Sequence, residues 1–137
     1  MTKVPIVSWI LYMEKIMPSL KILFVDDNEL NRMVMEDMLE LIVDDATIEV
    51  YESAKEVLSL DIQSYDIILS DIDMPIMDGF ELHDALRNVH NFKKPIIAVT
   101  ALAVSGDRER ILMHGFDDYI SKPIDMNNLE ETVKKYI

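Results

Sequence analysis

The chain has 137 residues, half of them apolar, and a formal net charge of −13 at pH 7. This length fits one domain with a single core, and the negative charge excludes direct contact with nucleic acid, whose phosphates are bound by Lys and Arg patches. The chain has no cysteine, which excludes disulfides and thiolate metal sites. We therefore expect a cytoplasmic protein.

Residues 1–19 precede the first predicted strand and are interpreted as an N-terminal extension. Their apolar stretch, residues 4–17, is shorter than the roughly 20 residues of a membrane helix and contains a proline and two charged residues. We predict no membrane insertion and no signal peptide. Two interpretations stay open: an extra helix upstream of a start at Met17, or an amphipathic segment around Trp9 that binds a partner.

Four apolar runs between residues 20 and 137 each end in polar side chains. The runs are short and rich in β-branched residues, and helical patterns separate them, as is typical of parallel strands covered on both faces. Each run is followed by its polar group: 21–25 by Asp26 and Asp27, 66–70 by Asp71, 95–99 by Thr100, and 118–121 by Lys122.

The remaining elements complete an alternation of five strands and five helices. Residues 48–51 alternate apolar and polar side chains, which predicts a strand at a sheet edge. Leu30, Val34, Met38 and Leu41-Ile42 recur at helical spacing and predict the apolar face of the first helix. Right-handed crossovers then predict a doubly wound parallel α/β sheet in the order 2-1-3-4-5. Helix starts are predicted at Asp27-Asn28, Ser53, Asp78, Ser105–Asp107 and Asp125, and a left-handed helix end at Gly115.

The polar groups at the strand ends match the needs of phosphoryl chemistry. In such sheets ligands bind beyond the carboxyl ends of the strands. Asp26, Asp27 and Asp71 would repel one another there, so together they should bind a hard divalent cation such as Mg²⁺ or hold a proton. An aspartate can attack phosphorus when a cation offsets the charge. Lys122 can then neutralise a phosphoryl oxygen, and Thr100 can donate a hydrogen bond.

The spaced set of motifs resembles the receiver domains of two-component response regulators. The resemblance covers the chain from about residue 20 to residue 137 and implies a flavodoxin-like (βα)5 fold. It also implies a protein that catalyses its own phosphorylation and dephosphorylation but is not an enzyme acting on an external substrate. The matching segments are Val25–Asn28, Ser70–Pro75, Asp78-Gly79, Thr100-Ala101 and Tyr119–Pro123.

The resemblance implies a role for each acidic residue of the site. Asp71 would be the phosphoacceptor, taking its phosphoryl group from a histidine kinase or a histidine phosphotransfer protein. Asp27 and Asp71 would ligate Mg²⁺ directly, with the backbone carbonyl of Asp73 as a further ligand and Asp26 acting through water.

The resemblance also implies a switch. Lys122 would pair with the phosphoryl group, and the bond between Lys122 and Pro123 resembles the cis peptide of the family. The Thr100 hydroxyl would move to the phosphate and the Tyr119 ring would follow inward, driven by the added negative charge. The output surface would comprise the last two helices and the strand between them.

Some residues point to a subtype. Asn28 with Asn31, together with residues 116–123, resemble receivers of hybrid kinases and phosphorelays. Asp73 departs from the usual pattern, and we expect it to change the lifetime of the acyl phosphate. Leu102 is expected to shape the access of water.

Alternative interpretations stay open at the level of sequence. Asp71-Ile72-Asp73 also resembles the nucleophile motif of haloacid-dehalogenase-type phosphatases, although a complete Asp-Asp strand precedes it here. A docking module that is not phosphorylated is a third class. Within the receiver class, the chain is either a relay intermediate or a terminal regulator. The three histidines (His83, His90 and His114) are expected to be exposed or half-buried rather than phosphohistidine donors.

Overall fold

A computed structural model describes residues 5–16, 19–101 and 106–137. Its strands form one five-stranded parallel sheet in the order β2-β1-β3-β4-β5, which confirms the predicted fold class and strand order. The second strand lies at the edge, as its alternating pattern predicts. The strands are β1 Leu20–Val25, β2 Ala46–Tyr51, β3 Ile67–Asp71, β4 Ile96–Thr100 and β5 Asp118–Ser121.

Helices cover both faces of the sheet. The side chains of Asn28, Ser53, Asp78 and Asp125 each accept a hydrogen bond from the backbone N–H three residues later, so these four predicted N-caps are confirmed. Among the described residues, no helix combines the length and apolar character needed to cross a bilayer. The helices are α1 Ile6–Ile16, α2 Glu29–Ile42, α3 Ala54–Leu58, α4 Gly79–Asn88, α5 Asp107–His114 and α6 Met126–Lys134, with a short 3-10 turn at Ile62–Ser64.

The core has two halves, one on each face of the sheet. Alternate residues of β1 supply both: Ile22 and Phe24 pack with α2 and α6, whereas Leu23 and Val25 pack with α3, α4 and α5. All five residues of β3 are buried, because this strand lies at the centre of the sheet. Burying each large apolar side chain contributes about 1.5–3 kcal/mol, and this packing fixes the strand ends that carry the polar groups.

The apolar face predicted for α2 is right for Ile42 and for Met38, which pack against the core, and wrong for Leu30, Val34 and Leu41, which are exposed. Leu30 and Leu41 are 66% and 77% exposed. The side-chain amide of Asn31 donates a hydrogen bond to Asp26, so Asn31 lies on the face of the helix that is turned toward the sheet. The side chains buried beneath α2 therefore share the face of Asn31, and they are Met35, Leu39 and Ile42.

The prediction that the histidines are exposed or half-buried is wrong for His83, which is 5% exposed. Its ring lies against Phe116, with centroids 4.6 Å apart. Leu82 and Leu86 on the same helix are also buried. The buried face of α4 therefore includes His83 in addition to its apolar side chains.

The extension contains α1, in which the described side chains from Ile6 to Met13 are exposed. The boundary between residues 19 and 20 therefore stays a prediction. Three predictions concern residues outside the described ranges: a start at Met17, a helix start at Ser105, and a role for Leu102 in water access.

Candidate functional site

The polar ends of β1, β3 and β4 and of the neighbouring β5 meet in one cleft of about 170 Å³. Parallel strands present their carboxyl ends at the same edge of the sheet, which explains why residues distant in sequence converge here. Six of the predicted site residues line this cleft. Its lining comprises Asp26, Asp27, Asn28, Asn31, Asp71, Asp73, Thr100, Ala101 and Lys122.

Asp26 is fully buried and its carboxylate is held by three donors. Oδ1 accepts the backbone N–H of Asn28 at 2.9 Å, and Oδ2 accepts hydrogen bonds from Lys122 Nζ at 2.8 Å and Asn31 Nδ2 at 3.2 Å. The guanidinium of Arg32 donates to the Asp26 carbonyl at 2.9 Å. A buried carboxylate needs such partners, and these contacts leave Asp26 oriented by the protein rather than free to turn toward a ligand.

Lys122 lies between two buried carboxylates. Its Nζ is 2.8 Å from Asp26 Oδ2 and 3.2 Å from Asp71 Oδ1. Burial alone would lower the pKa of Lys122, but the hydrogen bond to Asp26 and the charge of Asp71 outweigh burial and raise it. The ammonium therefore stays charged, and it faces the oxygen of Asp71.

Asp71 ends the central strand and is 4% exposed. Burial, reinforced by the nearby charge of Asp26, raises the pKa of Asp71 to about 6, against the opposing effect of Lys122. The backbone N–H of Asp73 lies 3.4 Å from Asp71 Oδ1. The residue lines the cleft, and its carboxyl group is costly to ionise without added positive charge.

The carboxylates also form a candidate metal centre. One oxygen each from Asp26, Asp27 and Asp71 lies within 4.8 Å of the others, and Asp27 is exposed whereas its two neighbours are buried. Mg²⁺ favours oxygen ligands and retains several waters, so one or two carboxylates suffice. This donor set therefore fits Mg²⁺.

The loop after β3 is held against the site by Gly79. The N–H of Gly79 donates to the Ile72 carbonyl at 2.9 Å, and a side chain at this position would overlap the Asp71 carbonyl oxygen. Asp78 and Glu81 form a reciprocal capping box at the start of α4. The Asp78-Gly79 pair thus fixes α4 directly against the strand end that carries Asp71.

The two residues predicted as a switch pair lie in different places. Thr100 is 1% exposed at the end of β4, and its carbonyl accepts the Lys122 N–H at 2.8 Å. Tyr119 lies outside the acidic cleft and lines a second, polar cleft, where its ring centre is 5.5 Å from Arg108 Cζ. The Lys122–Pro123 peptide bond is cis.

Two contacts were missed by the sequence interpretation. Asn31 was assigned only to a subtype motif, and Arg32 to nothing, yet both contact Asp26. The contact of Asn31 could have been predicted from the sequence. Asn31 lies three residues after the N-cap Asn28, so it is on the first turn of the helix, next to the strand end. Nothing in the sequence distinguishes Arg32 from an exposed arginine.

The family model for the response regulator receiver domain matches residues 22–134. The chain therefore belongs to the response regulator receiver domain family. This family functions in two-component and phosphorelay signalling and is not a conventional enzyme family. The haloacid-dehalogenase interpretation is accordingly wrong, since the Asp71-Ile72-Asp73 motif here follows the third strand of a receiver fold.

Similar proteins support the same family. The polar-differentiation response regulator DivK of Brucella ovis is 39% identical over 120 residues, which cover 85% of this chain and 94% of DivK. Hybrid signal transduction histidine kinase G of Dictyostelium discoideum is 36% identical over 123 residues, but the chain spans only 4% of that protein. The receiver domain of sensor histidine kinase PA1611 from Pseudomonas aeruginosa, with a magnesium ion in its active site cleft, is 33% identical with a TM-score of 0.74, covering 86% of this chain and 97% of that one.

Proposed function

We propose that Asp71 accepts a phosphoryl group from the phosphohistidine of a histidine kinase or a histidine phosphotransfer protein, and that the modification changes a partner-binding surface. One observation carries the proposal: the Lys122 ammonium lies 3.2 Å from Asp71 Oδ1 in a cleft that also contains Asp27. A buried nucleophile, a fixed cation and a candidate metal centre are the parts that this reaction needs.

The transfer forms one bond and breaks another. An oxygen of ionised Asp71 attacks phosphorus, the P–N bond of the phosphohistidine breaks, and its electron pair stays with the imidazole. Lys122 pairs with a phosphoryl oxygen, and Asp26 holds Lys122 in position through the 2.8 Å contact. Thr100 would donate its hydroxyl hydrogen bond to the new phosphoryl group.

The same residues would hold Mg²⁺ during this reaction. Asp27 and Asp71 would be direct ligands, the Asp73 carbonyl a further one, and Asp26, whose oxygens already accept three hydrogen bonds, would act through water. When bound, Mg²⁺ would offset the charge of the carboxylates and of the phosphoryl oxygens. The magnesium ion in the PA1611 receiver supports this assignment.

The signal would leave through α5, β5 and α6. Tyr119 on β5 contacts Arg108 on α5, so an inward movement of the ring after Thr100 shifts would release that contact. The added phosphoryl group carries about −1.5 to −2 charges at pH 7, which supplies the driving force for the movement of the Thr100 hydroxyl.

Incubation with Mg²⁺ and a small acyl-phosphate donor tests the assignment. Intact-mass measurement should show one labile phosphoryl adduct, and peptide mapping should place it on Asp71. Asp71→Asn is the loss control, and Asp44→Asn, at an exposed aspartate outside the cleft, is the matched control that should still be modified. No adduct at all would favour the docking module, and a stable adduct elsewhere would contradict the site.

The position within a relay is a separate question. Phosphotransfer profiling against histidine phosphotransfer proteins distinguishes an intermediate, which returns its phosphoryl group to a second histidine, from a terminal regulator, which does not. We further propose that residues 20–137 form the receiver, that residues 1–19 are an extension, and that the protein is cytoplasmic. Fractionation of cells expressing the chain tests the location.

A further inference from the structure

A second cluster of ligand atoms lies between α4 and α5, and none of its residues lines the acidic cleft. His83 Nδ1 is 3.4 Å and His114 Nε2 is 2.8 Å from the same atom, Asp84 Oδ1. One ligand atom from each of the three residues lies within 4.8 Å of the other two. Two imidazole nitrogens and one carboxylate oxygen therefore converge from two different helices.

The histidine rings are held in place by aromatic packing. The His83 ring centre is 4.6 Å from that of Phe116, and the His114 ring centre is 4.8 Å from that of Phe80. The His83 side chain is 6% exposed, and its Nε2 is buried without a hydrogen-bond partner. Fixed rings lose little conformational entropy when they bind a ligand.

We propose that His83, Asp84 and His114 bind a zinc-class divalent cation in a site that links α4 to α5. Zinc binds histidine nitrogen and carboxylate oxygen at about 2.0–2.2 Å, usually in a tetrahedron. Ligand atoms at such distances lie about 3.3 Å apart, a value between the observed distances of 2.8 and 3.4 Å. Three protein ligands leave one position for water.

Access and charge are compatible with an ion at this place. The side chains of Asp84 and His114 are 54% and 28% exposed, so an ion can arrive from solvent on their side. The neighbouring cation Arg87 is paired with Asp117 at 2.8 Å. The buried ring of His83 would close the inner side of the site.

The site differs from the acidic cleft in its chemistry. Its nitrogen ligands favour zinc and similar transition metals, whereas the oxygen-only set of Asp26, Asp27 and Asp71 favours Mg²⁺. The alternative is a metal-free network in which Asp84 only pairs with two histidines. Zinc binding separates the two cases, and it does so whether or not Asp71 is phosphorylated.

The full chain should be titrated with ZnCl2 by calorimetry in the presence of excess Mg²⁺. Zinc that binds in the acidic cleft should bind less tightly to Asp27→Asn, whereas zinc in the histidine site should bind to this variant as to the wild type. His114→Gln and Asp84→Asn change partly exposed ligands and should weaken the second site at least about tenfold. His90→Gln is the matched control, because His90 lies beyond the end of α4 and outside the cluster.

Nitrogen-15 spectra of the histidine side chains provide a direct readout. ZnCl2 should shift the ring resonances of His83 and His114 but leave those of His90 unchanged. This measurement reads His83 in the unsubstituted protein. It therefore needs no variant of this buried residue, which could fail to fold. Unshifted His83 and His114 resonances at saturating zinc, or equal zinc affinity in His114→Gln, would overturn the proposal.

Discussion

The side chains of Lys122 and Asp26 meet at 2.8 Å although 96 positions separate them in the sequence. This ion pair joins the first and last strands in chain order across the carboxyl edge of the sheet. Asp26 is fully buried, whereas the Lys122 side chain is 17% exposed. The pair is therefore a structural link as well as part of the site.

Replacing Lys122 with Met should lower the free energy of unfolding by about 3 kcal/mol at pH 7, since it leaves buried Asp26 without its cation. It should also slow phosphorylation of Asp71. Urea denaturation measures the first effect. Lys135→Met, at a side chain that is 58% exposed, is the matched control and should change stability by less than about 1 kcal/mol. Equal stability of the two variants would contradict a link between strands.

Replacing Asp71 with Asn should stabilise the metal-free protein at pH 8. The folded-state pKa of about 6 lies above the ordinary aspartate pKa of 3.8, so the folded state resists ionisation. This penalty is absent below pH 3.8, grows as the pH rises, and is complete above about pH 6. We expect a gain of about 3 kcal/mol at pH 8 in chelator.

The same comparison at pH 4 should show a much smaller gain, because wild-type Asp71 is then mostly protonated in the folded state. Addition of Mg²⁺ at pH 8 should stabilise the wild type more than Asp71→Asn. A stability difference between the two proteins that does not depend on pH would disprove the electrostatic explanation.

Replacing Asp73 with Asn should change the dephosphorylation rate of the acyl phosphate. Asp73 lines the cleft beside Asp71, where the attacking water must approach, and a carboxylate there alters both charge and hydrogen bonding. The decay of the phosphorylated protein should be followed by mass spectrometry after donor removal. Asp44→Asn should decay like the wild type, and an identical rate for Asp73→Asn would refute the role.

Replacing Gly79 with Ala should destabilise the protein by about 2 kcal/mol or more, because the new Cβ overlaps backbone atoms of the Asp71 loop. Gly106→Ala is an informative comparison. At Gly106 the added Cβ meets nothing within 4 Å, although its φ of 99° is strained for alanine, so about 1 kcal/mol is expected. Thermal denaturation of both variants gives the difference, and an equal loss would exclude the steric explanation.

Deleting residues 1–17 should leave folding and phosphorylation of Asp71 intact, because β1 begins at Leu20 and the family match begins at residue 22. Circular dichroism and the acyl-phosphate assay check this expectation. Loss of either would show that the extension is part of the domain.

The sequence predicts the sheet and its acidic edge because each buried strand ends in a polar residue. The carboxyl ends of parallel strands meet at one edge of the sheet, however the core side chains pack. Prediction from the sequence fails for the rotation of α2, because Met35, Leu39 and Ile42 form a second apolar stripe at helical spacing, and this stripe is the one that the helix buries. It also fails for His83, because a neutral imidazole can be buried against Phe116 like an apolar side chain. The contact between His83 and Phe116 joins residues far apart in the sequence and leaves no local pattern.

The uneven burial of the acidic residues leaves the cleft open to solvent on one side. Asp26 and Asp71 are enclosed, whereas Asp27 is exposed. In the proposed phosphotransfer, the hydrated ion and the phosphohistidine of the donor would therefore enter through the same opening, on the side of Asp27.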